Sequence, residues 1–279
     1  MRSPLKNPAR VLGGGLLWLI VVADLALLAW ILLTSLRSTT DIFHSPFALP
    51  KSVDIGNYTK AWQSGGFGDA ALASVLVATV SSVLAVAVAA PAAYMLARRR
   101  TRTSSALSMT FVMGVGVPGQ VLLVPLFTGL AQVDLVNSYT GLILVYTGLA
   151  LPFTVYLLTG FFAGVPAVLE EAAVIDGASG LRTFTQVILP VVRGGLITAF
   201  LLQFISAWNE TLFAVVLMQS ADRVTLPVAL VNFVRSQQFS GMDWGTMFAG
   251  MCIILAPMIA LFSWLGSRIV QGMTVGIGK

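Results

Sequence analysis

Six long apolar stretches run near residues 12–36, 71–97, 106–131, 139–163, 195–218 and 246–270, separated by shorter segments in which the polar residues collect. A bilayer core of about 30 Å takes about 20 apolar residues per helix, and these stretches meet or approach that length. Ala, Val, Leu and Gly dominate them, and none alternates apolar with polar positions as a membrane barrel strand would. The pattern predicts an all-α, polytopic membrane protein with six transmembrane helices. No internal repeat, low-complexity tract or long linker interrupts it, so residues 1–279 are expected to form a single domain.

Composition agrees with the pattern. The chain is 57% hydrophobic and 10% charged, with a mean hydropathy of +0.90, whereas soluble domains carry about 25% charged residues. A soluble globule is excluded. The first apolar run follows Arg2, Lys6 and Arg10 but is about twice as long as a signal-peptide core, and it reads as a retained helix.

The basic residues orient the spans. With the N-terminus inside, the cytoplasmic segments hold Arg2, Lys6, Arg10, Arg98, Arg99, Arg100, Arg102, Arg182, Arg193, Arg268 and Lys279. The outer segments hold Arg37, Lys51, Lys60, Arg223 and Arg235, which makes eleven against five. Both termini are then cytoplasmic. The net charge of +5 is an orientation signal, and no nucleic-acid partner is expected.

Little catalytic chemistry is available. Cys252 is the only cysteine and His44 the only histidine, which leaves no disulfide framework and no metal site of the His/Cys type. No Gly-Lys-Ser/Thr phosphate loop occurs, so a nucleotide would have to be bound by another chain. The chain is expected to be no enzyme and to hold no cofactor. Residues 37–70 carry Pro46, Pro50, Gly56, Gly65, Gly66 and Gly68 and read as an ordered outer loop. Residues 225–234 are apolar but too short to cross a bilayer, which suits either an interfacial segment that meets a partner or a buried connector.

The most informative segment is cytoplasmic, over residues 166–190 between spans four and five. Pro166 suits a first helical turn, residues 168–176 are helix-compatible, and Gly177 stands where the chain must leave the helix with positive φ. Glu171, Ala172, Ala173, Asp176, Gly177, Ala178, Phe184, Val187, Leu189 and Pro190 fall at fixed spacing. This series resembles the EAA loop of importer permeases in the ATP-binding cassette superfamily. Gly194 stands where many such permeases have a second proline.

Further residues resemble the carbohydrate-uptake branch of those permeases, in particular the maltose-transporter partner subunit and its relatives. They are Phe204-Ile-Ser-Ala-Trp-Asn-Glu210, Leu212-Phe-Ala214, Thr225-Leu-Pro227, Asp243-Trp-Gly245, Pro257 and Gly272-Met-Thr-Val-Gly276. The resemblance implies a multi-pass permease of a bacterial or archaeal-type cytoplasmic membrane that takes up sugars. It also implies a heterodimer with a second homologous permease, two cytoplasmic ATP-binding cassette subunits that bind ATP and Mg, and an extracytoplasmic solute-binding protein. Glu171, Ala172, Ala173, Asp176, Gly177, Ala178, Leu189 and Pro190 would then couple the spans to the ATPases. Small Ala172 and Ala173 beside Val168 and Leu169 would give a low-profile face able to enter a cleft. A permease for a sugar phosphate, polyol or glycerophosphodiester would look much the same.

Inside the apolar stretches, Asp24 and Glu210 are ionisable, and such residues tend to face a bundle interior or a water-filled path. Asp24 must find a donor or face water, and a structural hydrogen bond is expected ahead of a substrate role. Trp208, Asn209 and Glu210 either line a substrate path, since an aromatic face with amide and carboxylate groups suits a sugar, or lock the fifth helix to its neighbours. A gradient-driven secondary transporter would call for a half-to-half repeat with matched broken helices, which is not visible.

Overall fold

The computed structural model describes residues 8–50, 52–99, 101–220 and 222–275, and among them every regular element is helical. In chain order these are α1 (Pro8–Ser35), α2 (Thr39–His44), α3 (Gly56–Gly65), α4 (Phe67–Arg98), α5 (Arg102–Val115), α6 (Leu123–Gln132) and α7 (Tyr139–Ala163). There follow α8 (Val168–Ile175), α9 (Gly180–Val191), α10 (Arg193–Asn209), α11 (Leu212–Leu217), α12 (Leu226–Ser240) and α13 (Trp244–Val275). Arg2, Lys6, Lys51, Arg100, Gly276 and Lys279 lie outside the described residues.

Three helices, Gly14–Ser35 of α1, α4 and α7, are each long and apolar enough to cross a membrane unbroken. Two predicted spans differ. The stretch near 106–131 is a pair, in which α5 meets the segment Gly119–Gln132 at 94°. Pro118 is extended at ψ 119° and cannot donate a helical hydrogen bond, so the chain turns there. The stretch near 195–218 ends its helix at Asn209, because Glu210 is extended at ψ 126°, and resumes as the short α11. α9 and α10 meet at 75°. In α13 the described apolar stretch is Trp244–Ala260. Pro91 and Pro152 sit within α4 and α7, where neighbouring helices can satisfy the backbone groups they free.

The chain clusters into two compact units. One comprises Met1–Phe67 with Leu230–Pro257. Its segment between α1 and α4, expected to be a loop, carries the helices α2 and α3 and is held by polar contacts. Buried Arg37 donates to the carbonyls of Asp41 and Ser45 at 2.6 and 2.7 Å, gathering the end of α2. The Asn57 amide bridges the carbonyls of Ser35 and Arg37 at 3.0 Å each. Asp243 caps α13 by accepting the Thr246 N–H at 3.2 Å and hydroxyl at 2.8 Å, and it also accepts the Thr39 hydroxyl at 3.0 Å. Burial works to raise the Asp243 carboxyl, but these hydrogen bonds and nearby Lys60 hold it below the usual carboxylate range. A Cβ on Gly245 would meet the Arg37 carbonyl and the Asn57 amide, which gives Asp243-Trp-Gly245 a local packing reason.

The other unit comprises Gly68–Ala229 with Met258–Lys279. Its core sets Ala89, Ala90 and Ala93 of α4 against Val155, Leu158 and Phe162 of α7, with Ile188 of α9 and Ala199 of α10. Alanines on one helix let the large side chains of the next approach its backbone closely. The segment near 225–234 enters helix α12 through buried Leu226, Val228 and Ala229, and the Leu226 N–H donates to Ser74 Oγ at 2.7 Å. Its first turn is a packed connector.

Candidate functional site

The segment after α7 takes its shape from its punctuation. Gly164 and Val165 end α7 by donating to the Phe161 and Phe162 carbonyls at 3.2 Å each, and Pro166 leads into α8. Glu170 and Glu171 occupy the first turn of α8, where carboxylates suit the positive end of a helix. The helix closes with two nested hydrogen bonds, Gly177 N–H to Val174 O at 3.0 Å and Ala178 N–H to Ala173 O at 2.9 Å. Gly177 sits at φ +76°, and no atom lies within 4 Å of where its side chain would begin. Glycine is needed there for its backbone angle, not for lack of room.

Ser179 then caps α9, accepting the Arg182 N–H at 3.4 Å. The middle of α9, Thr183–Ile188, is wound as a π-helix, just before Leu189 and Pro190. Pro190 has no N–H to return to the preceding turn, and a locally widened winding is a way to absorb that.

The inner side of this segment is fastened to α4 and α7. Phe184 lies 5.0 Å from Tyr94 and 6.2 Å from Phe162, and those two rings are 5.6 Å apart, which makes a three-ring cluster. Ile188 is fully buried beside it. At the end of α4 the Arg98 Nε donates to Glu170 Oε1 at 2.6 Å and its Nη2 donates to the Val165 carbonyl at 2.9 Å. The two charged side chains are only 19% and 23% exposed.

The outer side of α8 is different. Val168, Glu171, Ala172 and Ile175, spaced as one helical face, are exposed, with Ile175 at 85%. Val174 and Leu181 add exposed apolar surface, and Asp176 and Gly177 are exposed at the turn. Ala173 is buried at 6%, so the expected low face of paired alanines is split: Ala172 points out and Ala173 points in. Of the remaining candidates, Ala178 and Leu189 are half-buried and Pro190 is exposed. A contiguous apolar surface with a carboxylate on it, unused by its own chain, is the kind of surface a partner covers.

Trp208, Asn209 and Glu210 are brought together at the break between α10 and α11, where Glu210 and Asn209 bond within the chain and the buried Trp208 Nε1 has no hydrogen-bond partner among the described residues. The Glu210 carboxylate accepts the Tyr146 hydroxyl at 2.6 Å and the N–H groups of Phe213 and Ala214 at 2.9 and 3.2 Å, capping α11. Asn209 is exposed and donates back to Ile205 O at 2.8 Å. Trp208 is buried and stacks on Phe204 at 5.8 Å. Below α11, the Asn137 side chain accepts the N–H groups of Gln219 and Ser220 at 3.0 and 3.1 Å. Asp24 is exposed on α1, and no hydrogen bond to it is found among the described residues, unlike the structural hydrogen bond expected.

Arg98 as an anchor, Glu170, Tyr94, Tyr146 and Asn137 are not singled out by sequence reasoning as site residues. Arg98 figures there only as an orienting charge. Glu170 carried a faint signal, a second acidic residue in the first turn of a helix whose neighbour Glu171 is in the motif.

Residues 85–275 match the family described as binding-protein-dependent transport system inner membrane component. The chain is 35% identical to the trehalose transport system permease protein of Mycobacterium tuberculosis, over 90% of each chain. It is 33% identical to a diacetylchitobiose uptake system permease protein of Streptomyces coelicolor, over 94% of this chain and 85% of the relative. In fold it is similar to a chain from the crystal structure of a bacterial ABC transporter involved in the import of the acidic polysaccharide alginate. The TM-score is 0.81 at 20% identity, covering 96% of this chain and 98% of the other. The chain belongs to the family of binding-protein-dependent inner membrane permeases. It is a transport subunit of an ATP-binding cassette importer, and in this family the use of ATP belongs to partner subunits.

Proposed function

We propose that this chain is one half of a permease heterodimer that carries a small sugar or oligosaccharide inward, with the outer face of α8 as the surface on which a cytoplasmic ATPase subunit docks. The observation that carries the docking role is the exposure of Val168, Glu171, Ala172 and Ile175 on a helix whose opposite side is fastened by Ala173, Glu170 and Phe184. A helix held from behind and bare in front transmits a push to whatever holds it. In this reading ATP-driven closure of two ATPase subunits moves α8, and the attached helices turn between inward-open and outward-open states. Gly177, Leu189 and Pro190 fix the angle at which the chain leaves the docked helix.

The same reading gives the chain six spans in one permease domain, the third and fifth of them broken, with both termini in the cytoplasm. A second homologous permease completes the path and an extracytoplasmic binding protein delivers the solute. The sugar assignment draws support from relatives named for trehalose and diacetylchitobiose. The test is reconstitution of the complex in proteoliposomes with ATP inside and a panel of labelled disaccharides outside. Binding-protein-dependent, ATP-dependent accumulation of one of them is expected. Accumulation that follows an ion gradient without ATP would overturn the proposal.

A further inference from the structure

Arg98 stands at the junction of three elements. It is the last residue of α4, it donates from Nε to Glu170 in the first turn of α8, and it donates from Nη2 to the carbonyl of Val165, which lies just past the end of α7. A planar guanidinium can hold a carboxylate and a carbonyl at once in a fixed geometry, and an ammonium cannot hold the same pair as rigidly. With side-chain exposures of 19% and 23%, the pair is also shielded from the screening that weakens surface ion pairs.

We infer that Arg98 and Glu170 form a rivet through which movement of α8 enters α4 and α7 together, rather than passing only along the chain through Val165 and Pro166. The inference rests on the docking reading of α8. The peptide connection alone is a poor lever, since a four-residue link between α7 and α8 can swivel about its own dihedral angles. The rivet removes that freedom by tying the start of α8 to two membrane helices. Behind it, the Tyr94, Phe162 and Phe184 cluster joins the same α4 and α7 to α9, so the segment is held at both of its ends. Arg98 and Glu170 are therefore positioning residues for coupling. Glu171, its exposed neighbour, is left to face the partner.

The experiment uses the full transporter in proteoliposomes and measures solute moved per ATP hydrolysed, together with recovery of the ATPase subunits on purification. Arg98→Ala and Glu170→Ala are expected to retain the ATPase subunits and continue to hydrolyse ATP, while transport per ATP falls at least tenfold. Arg98→Lys, which keeps the charge but not the fork, is expected to fall at least threefold. Arg98→Glu combined with Glu170→Arg restores the pair but not the bond to Val165, and it should recover at least threefold over either single change. That exchange also serves if the alanine variants fail to fold, because a rescue shows that the two side chains act on each other. Unchanged transport per ATP in Arg98→Ala and Glu170→Ala would overturn the inference, as would an exchange with no rescue beside a fully coupled Arg98→Lys. If the unaltered chain recovers no ATPase subunit at all, the docking reading itself has failed, and the two failures are thereby distinguished.

Discussion

The α8 segment and the break after α10 are both interruptions of an apolar chain that gather polar residues, yet they spend those residues in opposite ways. At the break, the Glu210 carboxylate is occupied by Tyr146 and by two N–H groups of α11. At α8, Glu171 and Asp176 stay exposed and Ile175 is 85% bare, while only the rear of the segment is engaged. Polar residues in a membrane protein therefore do not by themselves mark a site of action. What separates the two regions is whether the chain itself engages the carboxylates: Glu210 is held by three internal donors, and in the proposed reading the bare face of α8 is a surface for a partner.

The contrast is broken most severely by changes at the bare face. Ile175 is 85% exposed, so Ile175→Arg should leave chain abundance and thermal stability within experimental error while uptake drops about 100-fold, measured as initial rate in cells. Retained uptake would mean that no partner covers α8. Gly177→Val should have the next largest effect, costing about 1–2 kcal/mol of local turn stability because the φ of +76° must be held by a branched residue. It should impair uptake with insertion intact, a result read from protease accessibility beside transport.

The corner should answer in the other currency, stability. Glu210→Ala removes an acceptor from three donors and should lower unfolding stability by about 2–3 kcal/mol, seen as an earlier melting transition in detergent. Smallest of all is Asn209→Ala, which loses one exposed bond to Ile205 and should shift stability by less than about 0.5 kcal/mol, leaving uptake and substrate preference unchanged. A changed preference there would favour the substrate-path reading of Trp208, Asn209 and Glu210 over the helix-locking one.

Much of this was legible in the sequence because membrane physics is blunt. Long apolar runs announce helices, and the runs over α1, α4 and α7 were found within a few residues. The glycine turn after α8 was legible too, since positive φ has few other occupants. The breaks were not, although Pro118 was in plain view, because a hydropathy run averages over the one residue that turns the chain. In sequence Glu210 reads as either lining a path or locking the fifth helix, and nothing local points to Tyr146, 64 residues away, as the group that donates to it. Arg98 was hidden for a related reason. A cluster of arginines at the end of a span is fully explained by orientation, and nothing local says that one of them reaches a glutamate 72 residues on. Ala172 and Ala173 look alike as letters, and only the packing behind α8 decides which is covered.

Coupling through α8 requires that a partner cover its outer face. The direct measurement is the reactivity of Ile175→Cys toward a membrane-impermeant maleimide on the cytoplasmic side, with Cys252→Ala removing the chain's other cysteine. In membranes holding the complete transporter the thiol should be protected at least tenfold, and stripping the ATPase subunits should restore the fast reaction of an 85% exposed residue. Equal labelling before and after stripping would contradict the account.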